Sequence, residues 1–188
     1  MPFETARTIL REYRPETDID KLLTLWNDPE TQRFAFPDYI APRTKSAIEE
    51  ITKGFTKGPS GSSIFVIAED KESGEFLGQL SFAVVFPKTR IAEVGLSLAR
   101  EHWGKGYGKE LVAWAVQLGF EEWGLHRVQL STSEENERAI ALYKHVGFTQ
   151  EGFRRDFVWS AGRYWGVVQM SILEHEWDVK EGKAKQNA

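Results

Sequence analysis

Apolar positions along the chain switch between two periods, and the switches predict its elements. Alternation at period two marks strands at Thr8–Tyr13, Ile64–Glu69, Phe76–Phe86 and Ile91–Leu98. The last three are joined by Lys71–Gly74 and Pro87–Lys88, turns short enough to imply an antiparallel meander. His126–Ser131 arrives after a helix and should lie parallel to its predecessor, by a right-handed crossover. Thr149–Trp159 and Tyr164–Leu173 flank a tight turn at Ser160-Ala161-Gly162. Helical spacing begins with Asp18, read as an N-cap for a stripe of Ile19, Leu22, Leu23 and Trp26 that stops near Asn27-Asp28-Pro29. Thr44 caps a second helix with Ile48, Ile51 and Phe55 in line and Glu49/Lys53 as an i,i+4 pair; Gly58-Pro59-Ser60-Gly61 ends it. A central helix follows Gly108, with Leu111, Ala115 and Leu118 on one face widened by Val112 and Val116. The last spans Ser133 to Val146, with Ala139, Leu142, Tyr143 and Val146 along one side and Gly147 as C-cap. Phe34–Tyr39 is aromatic but aperiodic and reads as loop. Residues 1–179 read as one domain without repeat or linker, and the polar residues 180–188 as a disordered tail.

Composition narrows the function more than the fold. A chain of 188 residues suffices for one domain with a real core. A formal net charge of −4 argues against general nucleic-acid binding, which usually needs a basic face. The absence of cysteine excludes disulfides, Cys-based metal sites and a Cys nucleophile, and is compatible with a cytoplasmic protein. No signal-peptide pattern and no apolar run of membrane-spanning length is visible, so no membrane partner is expected. The four histidines, His102, His126, His145 and His175, show no ligand spacing, so no metal is assigned. Nor is there a G-x-S-x-G for Ser-His-Asp hydrolysis.

Candidate chemistry concentrates at Glu93–Glu110, EVGLSLAREHWGKGYGKE, where a strand opens through glycines into a helix. Unpartnered N–H groups and the dipole at a helix N-terminus favour an anion, and glycines let backbone approach a phosphate. Lys105 and Lys109 add positive charge. A Walker A loop fails here, because Gly108-Lys109 is followed by Glu110 and Trp103 stands where the first glycine belongs. A Rossmann fingerprint fits weakly: the run is G-x-G-x-G, with one further strand–helix–strand unit. A plain glycine-rich turn is the bland alternative. The third pattern is the acetyl-CoA pyrophosphate loop, commonly Gln/Arg-x-x-Gly-x-Gly/Ala. Gly106 and Gly108 match its small positions, while Trp103 departs at the Gln/Arg position.

The run WGKGYG resembles the loop of the GNAT N-acetyltransferase superfamily, specifically its RimJ/RimL-like branch. Glu135–Phe148, ENERAIALYKHVGF, resembles the GNAT segment in which Asn is followed by a small or apolar run, then Tyr, then Gly-Phe. The element order matches as well, so the likeness covers roughly residues 7–175. It implies an α/β (α+β) fold: a mixed, mostly antiparallel seven-stranded sheet with helices on both faces and a splayed parallel strand pair. It implies acetyl-CoA as co-substrate and an amine acceptor. That acceptor is a protein N-terminal α-amine by the branch, with a polyamine, amino acid or aminoglycoside, or a non-catalytic acyl-CoA sensor, as alternatives. A homodimer is left open.

The resemblance also assigns roles. Trp103, Gly104, Lys105, Gly106, Tyr107, Gly108 and Lys109 would cradle the pyrophosphate, Leu96-Ser97-Leu98 would take the pantetheine arm along strand backbone, and Asn136 would touch the cofactor. Tyr143 would be the general acid. Asn136 and Tyr143 lie two helical turns apart and so share a face, although the commoner role of a helical tyrosine is packing. A tyrosine with pKa of about 10 can protect a departing thiolate whose acid has pKa of about 8.5 and still hold its own proton at neutral pH. Glu93, at the start of its strand, is the candidate base, directly or through water; its plainer reading is an exposed strand-start charge. Phe34, Phe36, Tyr39, Trp159, Tyr164 and Trp165 are candidates to line an acceptor cleft. Gly166 stands where RimJ/RimL-like proteins often carry an acid after the hairpin turn.

Overall fold

The computed structural model describes residues 3–35, 39–57, 63–178 and 182–185. The order is β1 (Thr8–Glu12), α1 (Pro15–Asn27), α2 (Pro29–Ala35), α3 (Lys45–Lys57), β2 (Ser63–Asp70), β3 (Phe76–Phe86) and β4 (Ile91–Leu98). Then come α4 (Tyr107–Glu121), β5 (Arg127–Ser133), α5 (Glu137–Val146), β6 (Thr149–Ser160) and β7 (Arg163–Leu173). The seven strands form one sheet in the order β1-β2-β3-β4-β5-β7-β6, antiparallel except at β4–β5.

That parallel pair positions everything else. β4 and β5 pair only at Ile91↔Arg127, Ala92↔Val128 and Glu93↔Gln129. Beyond Glu93, β4 remains paired to β3 through Leu98 and β5 to β7 through Ser133, but not to each other. The expected splay is therefore present. Alternating side chains give the sheet two faces. On one, Val66, Leu80, Phe82, Ala92 and Val94 pack with Leu111, Val112 and Ala115 of α4. On the other, Phe65 and Ile67 pack with Leu22, Leu25 and Trp26 of α1 and Ile48 of α3.

Several local expectations fail for physical reasons. Asp18 is not an N-cap. α1 starts at Pro15, whose fixed φ suits a first helical position, and Asp18 lies one turn in. Its fully buried carboxylate accepts from the Arg14 N–H at 2.9 Å and from both Arg11 guanidinium nitrogens at 2.7 and 2.8 Å. Arg11 also reaches Glu69 at 2.6 Å, so one guanidinium on β1 joins α1 to β2 through two carboxylates. Phe34-Ala35 is not loop but the end of α2, opened by Pro29 and capped where Asp28 accepts from the Thr31 N–H at 2.8 Å. Phe36-Pro37-Asp38 and the Gly58–Gly61 stop lie outside the described residues. Thr44 does cap α3, its hydroxyl accepting from the Ala47 N–H at 3.2 Å, but Lys53 pairs with Glu50 rather than Glu49. The helix expected from Ser133 begins only at Glu137, because β5 stays paired to β7 as far as Ser133. Of the tail expected to be disordered, Lys183–Ala184 pairs as β9 with β8, Trp177–Asp178. At Gly147 (φ 118°) a Cβ would collide with Ala184, which explains a glycine there beyond its role as cap.

Candidate active site

After β4 the chain makes a 3₁₀ turn at Arg100–His102 and enters the glycine loop. Trp103 does not act as the polar group expected at its position. Its indole N–H donates to the Leu98 carbonyl at 2.7 Å, and the Arg138 guanidinium lies 3.8 Å from its ring centroid. The side chain pins the loop to the strand end and to α5. Gly104 (φ 75°) and Gly106 (φ 89°) take left-handed conformations, and Gly106 is the N-cap of α4. Among the described residues, the backbone N–H groups of Gly104 through Gly108 donate to no protein acceptor. A run of such donors at a helix N-terminus is the chemistry a pyrophosphate needs. Gly108 is required for a different reason: a Cβ there would lie 2.7 Å from Leu142 Cδ1, where α4 crosses α5. The Tyr107 hydroxyl donates to Asp70 at 2.8 Å; the Ser73 N–H and then this phenol hold the Asp70 carboxyl down at about 2. Arg7 covers the loop from outside, donating to the Lys105 carbonyl at 3.1 Å and to Glu110 at 2.6 Å.

A cavity of about 610 Å³ runs from this loop through the sheet. It is lined by Leu96 and Leu98, whose side chains face α4, and also by Gln79, Ser81 and Ser97, which have the opposite parity. A space can meet both faces of a sheet only where neighbouring strands are unpaired, which is the splay. Tyr143, Leu142 and Asn136 of α5 and its cap close one side; Trp26, Thr31, Phe34 and Phe55 from α1, α2 and α3 close the far end.

The Tyr143 ring packs on Phe148, with centroids 5.9 Å apart, and burial pushes its phenol up to about 12. It thus holds its proton throughout the physiological range. Asn136 is the N-cap of α5, its Oδ1 accepting from the Ala139 N–H at 3.3 Å; its amide NH₂ is the end suited to meet a ligand. Around the one cavity the fold brings together Leu96, Ser97, Leu98, Trp103, Gly104, Gly106, Gly108, Lys109, Asn136 and Tyr143. Lys105 and Tyr107 are not in its wall, and neither is Glu93. Glu93 opens into an adjoining polar recess of about 420 Å³ on the sheet face shared with Gln79 and Ser81. There it accepts from Gln129 Nε2 at 2.9 Å, next to the Arg127–Glu151 ion pair. Ser131 lines both spaces, so proton traffic from the cavity to Glu93 needs a relay.

The aromatic expectations separate sharply. Phe34 lines the cavity. Trp159 and Tyr164 meet edge-to-face in the exposed closing hairpin, Trp165 lies against Arg163, and Tyr39 is exposed. Trp26 and Phe55 take the places expected of them, together with Gln79, Thr31, His102 and Arg138. None of these carries a sequence signal beyond its place on a helix or strand. His102 is nearly fully buried, and its Nε2 stands 3.7 Å from Glu75. Among the described residues no cluster of three or more His, Cys, Asp or Glu is placed to hold a metal, and no helix is long and apolar enough to cross a membrane.

A glycine loop with free N–H groups, a splayed parallel pair and a half-buried tyrosine beside the gap form the arrangement expected of an acyl-CoA-dependent transferase. The chain belongs to the GNAT family: residues 7–149 match the acetyltransferase (GNAT) domain. It is 30% identical over 175 residues to an uncharacterized N-acetyltransferase, p20, of Bacillus licheniformis, covering 92% of this chain and 96% of that one. It is 35% identical over 88 residues to a spermidine N(1)-acetyltransferase of Vibrio cholerae, covering 47% of this chain and 51% of that one. The crystal structure of spermidine N-acetyltransferase from Vibrio cholerae in complex with CoA and spermine matches with a TM-score of 0.78 at 24% identity, over 89% of this chain and 96% of that one. The protein is an acetyl-CoA-dependent N-acetyltransferase.

Proposed function

We propose that the protein acetylates a primary amine by direct attack on the acetyl-CoA thioester, with Tyr143 as proton donor to the departing sulfur. The observation that carries this reading is a half-buried tyrosine lining the gap of the sheet, its phenol pushed above the ordinary value by desolvation. The amine nitrogen bonds to the carbonyl carbon and the C–S bond breaks. The nitrogen gives up its proton toward Glu93, through water and past Ser131, and the thiolate receives one from Tyr143. A β4 backbone N–H freed by the splay polarises the carbonyl as charge develops on its oxygen. Replacing Glu93 by Gln should lower turnover toward the small end of the about 10²–10⁴-fold range of general base catalysis and alter the acidic limb of the rate–pH profile. An unchanged profile moves the role elsewhere.

The pyrophosphate cradle is Trp103–Gly108. Gly106→Val places a β-branched residue at φ 89°, with its Cβ 3.0 Å from Arg7 Nη2, and should weaken acetyl-CoA binding by about tenfold or more. Calorimetric titration with acetyl-CoA checks this, and unchanged affinity in the folded variant removes the cradle. Gly108→Val is the poorer test, since its side chain would also displace Leu142 between α4 and α5.

The acceptor we propose is a protein N-terminal α-amine, as in the RimJ/RimL-like branch, supported by the WGKGYG loop and the hairpin around Gly162-Arg163-Tyr164. Gly166 is less of an objection than its sequence position suggests. A Cβ there would strike the Phe153 ring, and Gly166 N–H donates to Glu134 at 2.5 Å, so an acid still reaches the hairpin. A small-molecule amine is the second reading, favoured by the spermidine acetyltransferase relative. Thiol release from acetyl-CoA with peptides, amino acid amides and polyamines separates these; binding without any release would instead make the protein an acyl-CoA sensor.

A further inference from the structure

The far end of the cavity has a chemistry of its own. Trp26, Phe34 and Phe55 supply aromatic surface, and Thr31, Gln79 and Ser81 supply uncharged polar atoms. None of the described residues lining the cavity is Asp or Glu, and its formal charges come from Lys109 and Arg138. A second ammonium group would find aromatic rings there but, among the described residues, no carboxylate to pair with it, which disfavours its burial. Two buried polar atoms also lack protein partners there. Gln79, 4% exposed, has an Oε1 that accepts no hydrogen bond, and Thr31, 4% exposed, has an unpartnered Oγ1. Gln79 sits opposite Ser97 in the β3–β4 register, one strand from the splay. A buried amide oxygen without a donor is a standing cost that a ligand N–H would relieve.

Resting on the proposed amine acetylation, we infer that this end admits the acceptor and that Gln79 selects the α-amino amide unit. The acceptor nitrogen is flanked by an apolar or aromatic side group that lies on Trp26, Phe34 and Phe55, and by an amide N–H that donates to Gln79 Oε1. Amines with a second positive charge are excluded. A peptide N-terminus and a free amino acid amide both carry this unit.

The test compares kcat/KM for thiol release with phenylalaninamide, a tetrapeptide beginning with Phe, phenethylamine and spermidine. Wild type should prefer phenylalaninamide to phenethylamine, which lacks the amide donor, by about tenfold or more, and spermidine should be the poorest. With rates referred to the unprotonated amine, Gln79→Leu should lower the phenylalaninamide/phenethylamine ratio by about tenfold, through the amide alone. Gln79→Glu should raise spermidine relative to both. A tetrapeptide faster than the amide identifies a protein source, and a tetrapeptide that is not acetylated identifies a free one; either agrees with the inference. Preference for spermidine in wild type overturns it, as does Gln79→Leu lowering both aromatic amines equally. If Gln79→Leu does not fold, the near-isosteric Gln79→Met is read in the same way. No release with any amine overturns the catalytic proposal itself, a distinguishable result.

Discussion

Tyr143→Phe is expected to lower turnover by about 10²–10⁴-fold, the usual worth of a positioned general acid. Acetyl-CoA affinity should change by less than about tenfold. The substitution keeps the ring, and with it the packing on Phe148, so the loss belongs to the hydroxyl. Burial holds that hydroxyl at about 12, higher than an exposed phenol, and two consequences follow. Tyr143 donates its hydrogen bond to the developing thiolate without ionising beforehand. It also cannot produce an alkaline limb in the rate–pH profile at pH below about 10, where an ordinary phenol would begin to titrate. Any such limb seen in wild type should therefore persist in Tyr143→Phe at the reduced rate. A poor leaving group should suffer more than an activated one, because protonation matters most where departure is difficult. Pre-steady-state thiol release isolates the chemical step. Normal turnover with that step rate-limiting would make Tyr143 a packing residue and pass the proton to water.

The sequence revealed backbone arrangement better than side-chain engagement, and the residues show why. Strand periodicity and short turns dictated the meander, and one crossover made β4–β5 the parallel pair, so that pair and the glycine loop were legible, while its splay was implied only by the GNAT resemblance. The reason for each glycine was not. Gly106 serves a positive φ, whereas Gly108 serves a close helix crossing through Leu142, and the motif writes both with the same letter. Trp103 was read as a departure at the Gln/Arg position, and its own engagement was not visible: a bond to Leu98, five residues away in sequence, takes up its N–H. Glu93 sits at the expected strand position, yet β4 is still paired to β5 there, so it meets a neighbouring recess rather than the cavity, which spacing alone did not convey. The acceptor end was least legible. Trp26, Phe55 and Gln79 come from three separate elements and meet only through tertiary packing, while the conspicuous aromatics of the last hairpin face outward.

The largest stability effect is expected at Asp18, the residue whose role was most misread. Asp18→Ala should destabilise the protein by about 3–5 kcal/mol, the cost of breaking a buried ion pair from one side. The lower end is the better expectation, because Arg11 retains Glu69 at 2.6 Å and stays 13% exposed, so its charge is not wholly stranded. Burial works against the Asp18 charge, but Arg11 and the Arg14 N–H outweigh it and bring its pKa below the ordinary carboxylate value of 3.8. A depressed folded pKa means the stabilisation is complete above the unfolded pKa of about 4 and is lost as pH falls through the folded value. The gap between wild type and Asp18→Ala in urea unfolding should therefore be full at neutral pH and shrink below about pH 4. Function should follow the architecture. Asp18 fastens α1, which carries Trp26 at the end of the cavity proposed for the acceptor, whereas the glycine loop rests on β4, α4 and α5. Under conditions where Asp18→Ala remains folded, acceptor KM should rise while acetyl-CoA affinity holds. A gap below about 1 kcal/mol at neutral pH would reduce the Asp18–Arg11 pair to the worth of a surface salt bridge. A gap that acid does not narrow would assign the loss to packing rather than charge.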